Sequence, residues 1–407
     1  MQLTDYEQKM LNGEMGEGVR KAMDMLVAMG KAFGAERMIP VTRTHVAMSG
    51  QEGDTYWCEL LVNGGATCKV VPTTNPNWDV PTLSRYYEVP ADRLFLARRT
   101  DDVYRRIGAS ITYCCTPELA GNVPTFGEHI AFSESSATPY VNSILGARSN
   151  RESSVSALAS AVTGVTPYYG LHLDKSRKGN MSVHVDVELK DAYDWGLFGW
   201  YVGLHAGTKV PVITFRDGAY KGVRPTPEEL LYFTTESSTS GAVPMFHMVG
   251  ITPEAPTAEA AFGGNASLAD LTVTRADLDE MERLVSDPAG KINLIMVGCP
   301  HYTYAQLREV AEIVGERRIH RDVDFWILSS WDAMELARRS GHMETIERSG
   351  IRVVADTCMD QPPFDVFRGK LNMTDSAKCA HYQKRRGLPF VLRRIGQCVE
   401  AAVKGEV

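Results

Sequence analysis

The sequence lacks long hydrophobic runs and has few cysteines. No segment of the 407 residues approaches the ~18 uninterrupted apolar positions of a membrane span, and residues 1–7 show no basic stretch leading into an apolar one, as a secretory signal would. Eight cysteines are too few for a disulfide scaffold in a chain of this length. We therefore expect a soluble, cytoplasmic protein with no membrane partner, whose cysteines are free core thiols, metal ligands or nucleophiles.

Positive charge is also not in excess, and several catalytic signatures are missing. Lysine plus arginine number 43 against 50 for aspartate plus glutamate, giving a formal net charge of -7, which argues against nucleic acid as a partner. The chain has no Walker A loop, no Gly-x-Gly-x-x-Gly, no His-Glu-x-x-His and no Gly-x-Ser-x-Gly. Nucleotide use and the common hydrolase and zinc-protease chemistries are therefore disfavoured.

What is present is an ordinary globular composition with a clear α/β pattern near the C-terminus. Hydrophobic residues make up 44% and charged residues 23% of the chain, which is long enough for two or three domains of ~150 residues. Apolar stretches at 292–297, 323–328 and 351–355 alternate with helical patterns at 304–315 and 332–339. This alternation predicts a doubly wound, mostly parallel sheet.

The first half is less regular. Residues 5–33 show helical periodicity, interrupted by glycines, while short apolar runs at 57–63 and 111–115 favour strands. Between 256 and 270 the periodicity disappears and proline and glycine accumulate, so we predict a linker there. The expected organisation is an N-terminal α/β region over 1–255 and a C-terminal α/β domain over 271–407.

Three cysteines follow or end predicted strands. Cys299 and Cys358 come directly after two strands of the C-terminal pattern, and Cys115 ends an apolar run in the first half. Ligands of open parallel sheets bind at the carboxyl ends of the strands, so these thiols are predicted to face one crevice. Three converging thiolates could hold an iron-sulfur cluster or zinc, although small buried thiols that only fill the core are the alternative.

The densest polar segment runs from 127 to 152, where polar residues are interleaved with short apolar stretches. Arg148 and Arg151 could clamp a substrate carboxylate, and hydroxyl and amide groups nearby could bind its oxygens. A network of polar groups that only satisfy one another is the structural alternative. Candidate histidines in loop-like settings are His45, His129, His172 and His301. Near the C-terminus, Lys378 lies at the start of a predicted helix whose free amides could hold an anion.

Together, these segments resemble the aconitase X family in the family's order along the chain. They are MIP at 38–40 with THV at 44–46, CTP at 115–117, GEHIAFSESSA at 127–137, NSILGARSNRE at 142–152, VGCPH at 297–301 and DTC at 356–358. The resemblance implies an aconitase-like α/β fold in two or three subdomains. It also implies a hydro-lyase with an iron-sulfur cluster, of the 2Fe-2S, 3Fe-4S or 4Fe-4S type, held by Cys115, Cys299 and Cys358.

The resemblance extends to the other site residues and to a partner. The expected substrate-binding residues are Glu128, Ser133, Ser135, Ser136, Asn142, Arg148, Arg151 and His172. The proton-transferring residue is expected among His129, Ser376 and Lys378, or on a small swivelling domain, whose serine takes the proton in the wider superfamily. That domain is absent from these 407 residues, so a small subunit is expected as a separate chain.

Known activities in the family are dehydration of cis-3-hydroxy-L-proline and of mevalonate 5-phosphate. The family's usual Thr-Asn-Ser-Ala-Lys element has Asp375 in place of asparagine here, which would add negative charge near the anion site and disfavour a phosphate. We therefore expect dehydration of a small hydroxy acid, cis-3-hydroxy-L-proline to pyrroline-2-carboxylate, with mevalonate 5-phosphate as the alternative. A non-enzymatic metal-binding or structural subunit is the further alternative.

Overall fold

The strands of the computed structural model, which describes residues 1–48 and 50–406, form three parallel sheets and one antiparallel pair. Helices connect successive strands of the parallel sheets. The predicted α/β class with mostly parallel sheets is therefore confirmed. Within the described residues, no helix is long and apolar enough to span a membrane.

The first unit extends to about residue 175. Its helices are α1 (Asp5–Leu11), α2 (Glu17–Ala32), α3 (Glu52–Asn63), α4 (Val80–Leu83), α5 (Ala91–Ile107), α6 (Ala137–Ser143) and α7 (Ser154–Thr163). Its strands are β1 (Met38–Pro40), β2 (Thr44–Val46), β3 (Pro72–Thr74), β4 (Ala131–Phe132) and β5 (Val165–Pro167). The parallel sheet has the order β3-β2-β4, and β1 pairs with β5 antiparallel.

Helix α2 shows how the first unit forms its core. Its residues Ala22, Met23, Leu26 and Val27 recur at three- and four-residue steps and are buried, as an amphipathic helix requires. The helix begins after Gly16, whose φ of +102° is readily adopted only by glycine. The helical pattern predicted over 5–33 is thereby divided into α1 and α2.

The second unit contains one four-stranded parallel sheet. Its elements are β6 (Met181–Val185), α8 (Ala192–Ala206), β7 (Pro211–Phe215), α9 (Pro227–Gly241), β8 (His247–Met248), α10 (Ala258–Phe262), β9 (Asp270–Val273) and α11 (Arg275–Val285). The strand order is β8-β7-β6-β9.

The structure differs from the predicted division of the chain at 256–270. This segment contains α10, and the strand that follows it, β9, pairs in parallel with β6. The unit therefore continues across the predicted linker as far as α11. The prolines and glycines that suggested a linker lie in the turns around a single short helix.

The third unit matches the sequence pattern closely. Its elements are β10 (Leu294–Tyr302), α12 (Tyr304–Val314), β11 (Asp324–Ser329), α13 (Trp331–Arg339), α14 (His342–Ser349), β12 (Arg352–Val354), β13 (Asn372–Thr374), α15 (Ala377–Arg385), β14 (Phe390–Leu392) and α16 (Ile395–Lys404). The strands pair in parallel in the order β12-β11-β10-β13-β14.

The three units share one hydrophobic core. It contains buried Trp78 from the first unit, Trp195 from the second and Trp326 from the third. The indole of Trp326 also donates a hydrogen bond to the Tyr87 hydroxyl at 2.8 Å, which joins the third unit to the first. This shared core fixes the units against one another, so side chains from distant parts of the sequence can form one site.

Candidate functional site

A cavity of about 160 Å³ lies where the first and third units meet, and Cys115, Cys299 and Cys358 all line it. The remaining lining residues are Asn75, Pro76, Glu134, Ser135, Gly298, His301, Leu328, Thr357, Met359, Asp360, Lys378 and Tyr382. We call this the thiol cavity. The structure thus brings together the three cysteines that the sequence placed at one crevice.

Cys299 lies in an irregularity of strand β10. The pairing of β10 with β11 shifts register between Val297 and Tyr302, so the intervening residues bulge out of the ladder. Gly298 makes this possible because its φ is +96° and a Cβ atom there would lie 2.0 Å from the carbonyl oxygen of Leu328. Bulges next to active sites commonly re-aim side chains, and this one brings Cys299 and His301 to the cavity.

Gly298→Ala is therefore expected to be strongly destabilising. The added methyl group would collide with rigid backbone, and the positive φ would be strained, so we expect a loss of at least ~2 kcal/mol in the free energy of unfolding. Gly341 is the matched control because its φ is +79° and no heavy atom lies within 4 Å of an added Cβ. Gly341→Ala should cost only ~1 kcal/mol. Urea denaturation measures both losses, and equal values would contradict the collision.

Backbone contacts between the units hold the other two thiols in place. The His301 amide donates to the Cys115 sulfur at 3.3 Å, which links the first unit to β10 of the third. The Cys358 amide donates to the carbonyl oxygen of Asn77 at 3.0 Å. The Thr357 hydroxyl accepts from the Asp79 amide at 3.0 Å, so the loop carrying Cys358 is fastened to the first unit.

Burial controls the protonation of the thiols. It raises the pKa of Cys358 to about 12 and raises the pKa values of Cys115 and Cys299 well above the ordinary thiol range. The nearby Lys378 ammonium acts in the opposite direction on all three, but less strongly. Thiolates bind metals and thiols do not, so a cationic centre in the cavity would be needed to deprotonate them.

An ion pair between Lys378 and Glu134 forms one wall of the cavity. The Lys378 ammonium donates to Glu134 Oε1 and to the Ser135 hydroxyl, each at 3.2 Å. Glu134 also accepts from the Asn75 side-chain amide at 2.7 Å and from the Ser136 backbone amide and hydroxyl at 3.2 and 3.1 Å. Burial by itself would raise the pKa of Glu134, but Lys378 and these hydrogen bonds lower it to about 2.

The same pairing keeps Lys378 charged. Burial by itself would lower the pKa of the ammonium, but the neighbouring Glu134 carboxylate raises it well above its usual value. Lys378 was predicted as a candidate proton-transferring residue, and the structure places it in the thiol cavity. The raised pKa favours the protonated amine, which can bind an anion there but is a poor proton acceptor.

Ser376 is a helix cap. Its hydroxyl accepts from the Cys379 amide at 3.2 Å, which caps α15, and donates to Glu236 Oε1 at 3.0 Å. Ser376 is not among the described residues that line the thiol cavity. The proton-transfer role predicted for Ser376 therefore has no support from its position.

Asp375 faces away from the thiol cavity. Its Oδ2 atom accepts hydrogen bonds from the hydroxyls of Tyr232 and Tyr302 in a different cavity. The sequence argument that Asp375 adds negative charge at the anion site is therefore wrong. Asp375 and Lys378 are three positions apart after β13 and line separate cavities.

The polar segment 127–152 reaches the cavity only at Glu134 and Ser135. The Ser136 hydroxyl donates a hydrogen bond to the Glu134 carboxylate. Ser133 donates to the carbonyl oxygen of His45, and Asn142 donates to the carbonyl oxygens of Ser149 and Pro244. Ser133 and Asn142, predicted as substrate contacts, thus stabilise the backbone around the site.

Glu128, His129, Arg148 and His172 form a separate cluster, and none of them lines the thiol cavity as the described residues define it. The Nδ1 atoms of His129 and His172 are 3.0 Å apart, and Arg148 donates to the carbonyl oxygen of His172 at 3.0 Å. Glu128 pairs with Arg43 at 3.0 Å. Burial lowers the pKa of His172 to about 3, so this histidine is neutral.

Arg151, predicted to clamp a substrate carboxylate, is exposed. It does not line the thiol cavity and forms no salt bridge with any residue that the structure describes. The clamping roles predicted for Arg148 and Arg151 are thus not supported by their positions in this chain.

Several residues that line the thiol cavity were not predicted from the sequence. Asn75, Asp360 and Tyr382 lie in loops or helices without a distinctive motif. Glu134 was inside the polar segment, and its flanking serines were the only signal that its carboxylate would be buried and hydrogen-bonded. Its partner Lys378 lies 244 positions away, a separation that no local pattern could reveal.

Comparison with protein families assigns the whole chain to one family. Residues 1–175 match the model of the aconitase X first domain, residues 179–283 the second domain and residues 292–404 the third domain. These divisions coincide with the three units of the structure. A crystal structure of Thermococcus kodakaraensis aconitase X in its holo-form has a TM-score of 0.87 and 31% identity, covering 99% of this chain and all of that one.

Two kinds of dehydratase are similar to this chain. The phosphomevalonate dehydratase large subunit of Methanothermobacter thermautotrophicus is 36% identical over 383 residues, which is 92% of each chain. The cis-3-hydroxy-L-proline dehydratase of Pseudomonas aeruginosa is 34% identical over 412 residues, which is 99% of this chain and 70% of that protein. The chain therefore belongs to the aconitase X family and is a hydro-lyase.

Proposed function

We propose that this chain is the large subunit of an iron-sulfur dehydratase that removes water from a small hydroxy acid, with cis-3-hydroxy-L-proline as the first candidate. The proposal rests on the thiol cavity, on its charge and on the relatives described above. A small subunit is included because several relatives are named as large subunits.

The cavity fits an iron-sulfur cluster better than a single metal ion. Three soft sulfur donors surround it, as such clusters prefer. Among residues 1–48 and 50–406, no group of three His, Cys, Asp or Glu side chains is placed to hold one ion. A cluster would make a different demand on the three thiols, because they would not all have to reach one ion. We assign Cys115, Cys299 and Cys358 as its ligands, and when bound the cluster would supply a Lewis acid for the leaving hydroxyl.

Lys378 is the residue that we propose to hold the substrate carboxylate. Its ammonium has three N–H groups, and two of them are used by Glu134 and Ser135. The third remains for a ligand in the cavity. The positive charge would orient the carboxylate and stabilise the negative charge that develops on it as the α-proton leaves.

The base that removes the α-proton is proposed to come from the small subunit. Lys378 is kept protonated by Glu134, and the Ser376 hydroxyl donates to Glu236. His129 lies in the separate cluster with His172. None of the three predicted candidates thus combines a place in the cavity with the ability to accept a proton, so the isolated chain should be inactive.

The charge of the cavity carries the substrate proposal. Lys378 is the cation that lines it, opposed by Glu134 and Asp360, and no arginine lines it within the described part of the chain. Arg386, the guanidinium close by, is bound to Asp360 and Asp365. A zwitterionic amino acid fits this balance, because Lys378 can bind its carboxylate and an acidic side chain its amine. A doubly charged phosphate would find no arginine in the described lining to bind it.

A second candidate, mevalonate 5-phosphate, is favoured by the relatives. This chain covers 92% and 100% of two phosphomevalonate dehydratase large subunits, but about 70% of each cis-3-hydroxy-L-proline dehydratase. Substrate contacts supplied by a small subunit could provide the positive charge that the thiol cavity lacks.

An anaerobic assay of the chain co-expressed with its small subunit distinguishes the candidates. We expect sulfur-to-iron charge-transfer absorption, formation of pyrroline-2-carboxylate from cis-3-hydroxy-L-proline, and no turnover of mevalonate 5-phosphate. The chain alone is expected to keep the absorption and lose the activity. Turnover of the phosphate alone would reverse the choice of substrate, and a colourless, metal-free complex would contradict the cluster.

A further inference from the structure

His301 connects the three segments that carry the proposed cluster ligands. It lies in strand β10, two positions after Cys299, and is 2% exposed. Its backbone amide donates to the Cys115 sulfur at 3.3 Å. Its imidazole Nε2 atom is 2.9 Å from the carbonyl oxygen of Thr357, one position before Cys358. A residue that contacts all three segments can control how the thiols lie relative to one another.

The imidazole of His301 is not itself placed to bind iron. A carbonyl oxygen can only accept a hydrogen bond, so the Nε2 atom carries a hydrogen and donates it to Thr357. The Nδ1 atom is buried and has no hydrogen-bond partner among the described residues, so it is shielded from the thiol cavity. His301 is therefore suited to position the ligands and not to be one of them.

The imidazole bond adds a contact that the loop of Cys358 does not have from the first unit. The bonds to Asn77 and Asp79 described above join this loop to the first unit. The bond from His301 joins it to β10, the strand that contains Cys299. Loss of an outer partner that orients a metal ligand typically lowers metal affinity by ~10–100-fold.

We propose that His301 is a positioning residue of the metal centre. Its imidazole holds the Cys358 segment beside Cys299, and its backbone amide donates to the Cys115 sulfur, where it would stabilise the thiolate. The proposal rests on the cluster ligands assigned above and not on the choice of substrate. A histidine that only stabilises the fold is the alternative, and it would leave cluster retention independent of this imidazole.

Rescue by a side chain of matching reach separates the two roles. His301→Leu removes the donor but keeps a side chain that can fill the space, and His301→Gln restores an N–H group near the position of Nε2. We measure the release of iron to a ferrous chelator from the anaerobically purified complex. Release should be ~10-fold faster in His301→Leu, and close to the wild-type rate in His301→Gln.

His247 is the matched control. It is 1% exposed, its Nε2 atom donates to the carbonyl oxygen of Arg177 at 2.7 Å, and its Nδ1 atom has no partner within the described part of the chain. It lies on β8 of the second unit, away from the described lining of the thiol cavity. His247→Leu should lower the free energy of unfolding about as much as His301→Leu but keep the wild-type rate of iron release.

Alkylation of the chain after removal of the metal gives a second readout. Treatment with iodoacetamide, followed by peptide mass spectrometry, measures the reaction rate of each thiol. Cys358 should react several-fold faster in His301→Leu than in the wild type, because its loop is no longer joined to β10. Cys68 is partly exposed in the first unit and outside the described lining of the cavity, so its rate should not change.

Three outcomes would overturn the proposal. They are a wild-type rate of iron release in His301→Leu, equally fast release in His301→Gln, and equally fast release in His247→Leu. If the wild-type complex contained no iron, the proposed cluster would fail, but an unchanged alkylation rate of Cys358 would still refute the role of His301. If His301→Leu does not fold, His301→Asn replaces it, because its amide ends short of the Nε2 position.

Discussion

Cys299→Ser is expected to abolish the iron-sulfur absorption of the chain and to lower the dehydration rate of the complex by more than ~100-fold. Loss of an outer partner of a metal ligand typically costs ~10–100-fold, so loss of a ligand should cost more. Iron content, visible absorption and the rate of substrate dehydration, all measured anaerobically, check this expectation. Cys115→Ser and Cys358→Ser should behave in the same way because the three thiols line one cavity.

Cys114 provides the matched control. It is adjacent to Cys115 and buried, but its sulfur lies 3.2 Å from the Thr116 hydroxyl and does not line the thiol cavity. A serine can keep that hydrogen bond, so Cys114→Ser should retain both absorption and activity. If Cys299→Ser kept its iron while Cys114→Ser lost it, our assignment of the ligands would be wrong.

The second large effect is expected at the ion pair between Lys378 and Glu134. Lys378→Met leaves a buried carboxylate without its cation, and Glu134→Gln leaves a buried ammonium without its anion. Removing one partner of such a pair typically costs ~3–5 kcal/mol in the free energy of unfolding. We expect each variant to show a loss of this size in urea denaturation, and Lys378→Met also to lose activity.

The double variant separates the charge effect from loss of packing. Because the two losses share one cause, Glu134→Gln with Lys378→Met should be less destabilised than the sum of the single variants. The exposed pair of Arg338 with Glu335 is the control, at 3.1 Å on the surface of α13. Arg338→Ala should cause no measurable loss, since exposed pairs contribute little. Additive losses at the buried pair would show that the two charges do not interact.

The third unit and the position of the thiols were predictable because their physical basis is local. The alternation of apolar strands and amphipathic helices predicted the parallel sheet. Because ligands bind at the carboxyl ends of parallel strands, the same pattern predicted that Cys299 and Cys358 lie at one edge. The first unit was harder to predict. The apolar run at 57–63 lies in helix α3, and the run at 111–115 is irregular backbone with Tyr113 at a φ of +41°.

The polar residues of the site were only partly predictable. A buried polar group looks the same in the sequence whether it binds a ligand or supports its neighbours, and only the partner distinguishes the two. Asn142 binds backbone carbonyls, whereas Ser135, in the same segment, lies in the cavity. The direction of Asp375 depends on how β13 passes into α15, which no periodicity determines.

The contacts that bring the thiols together also connect two units that are far apart in the sequence. Cys115 belongs to the first unit and Cys299 to the third, and the hydrogen bond from His301 to the Cys115 sulfur spans 186 positions. A cluster held by these thiols would crosslink the first and third units. It would close a very long loop and so lower the entropy of the unfolded chain. Because the units share one hydrophobic core, removal of the cluster should lower the free energy of unfolding of all three together.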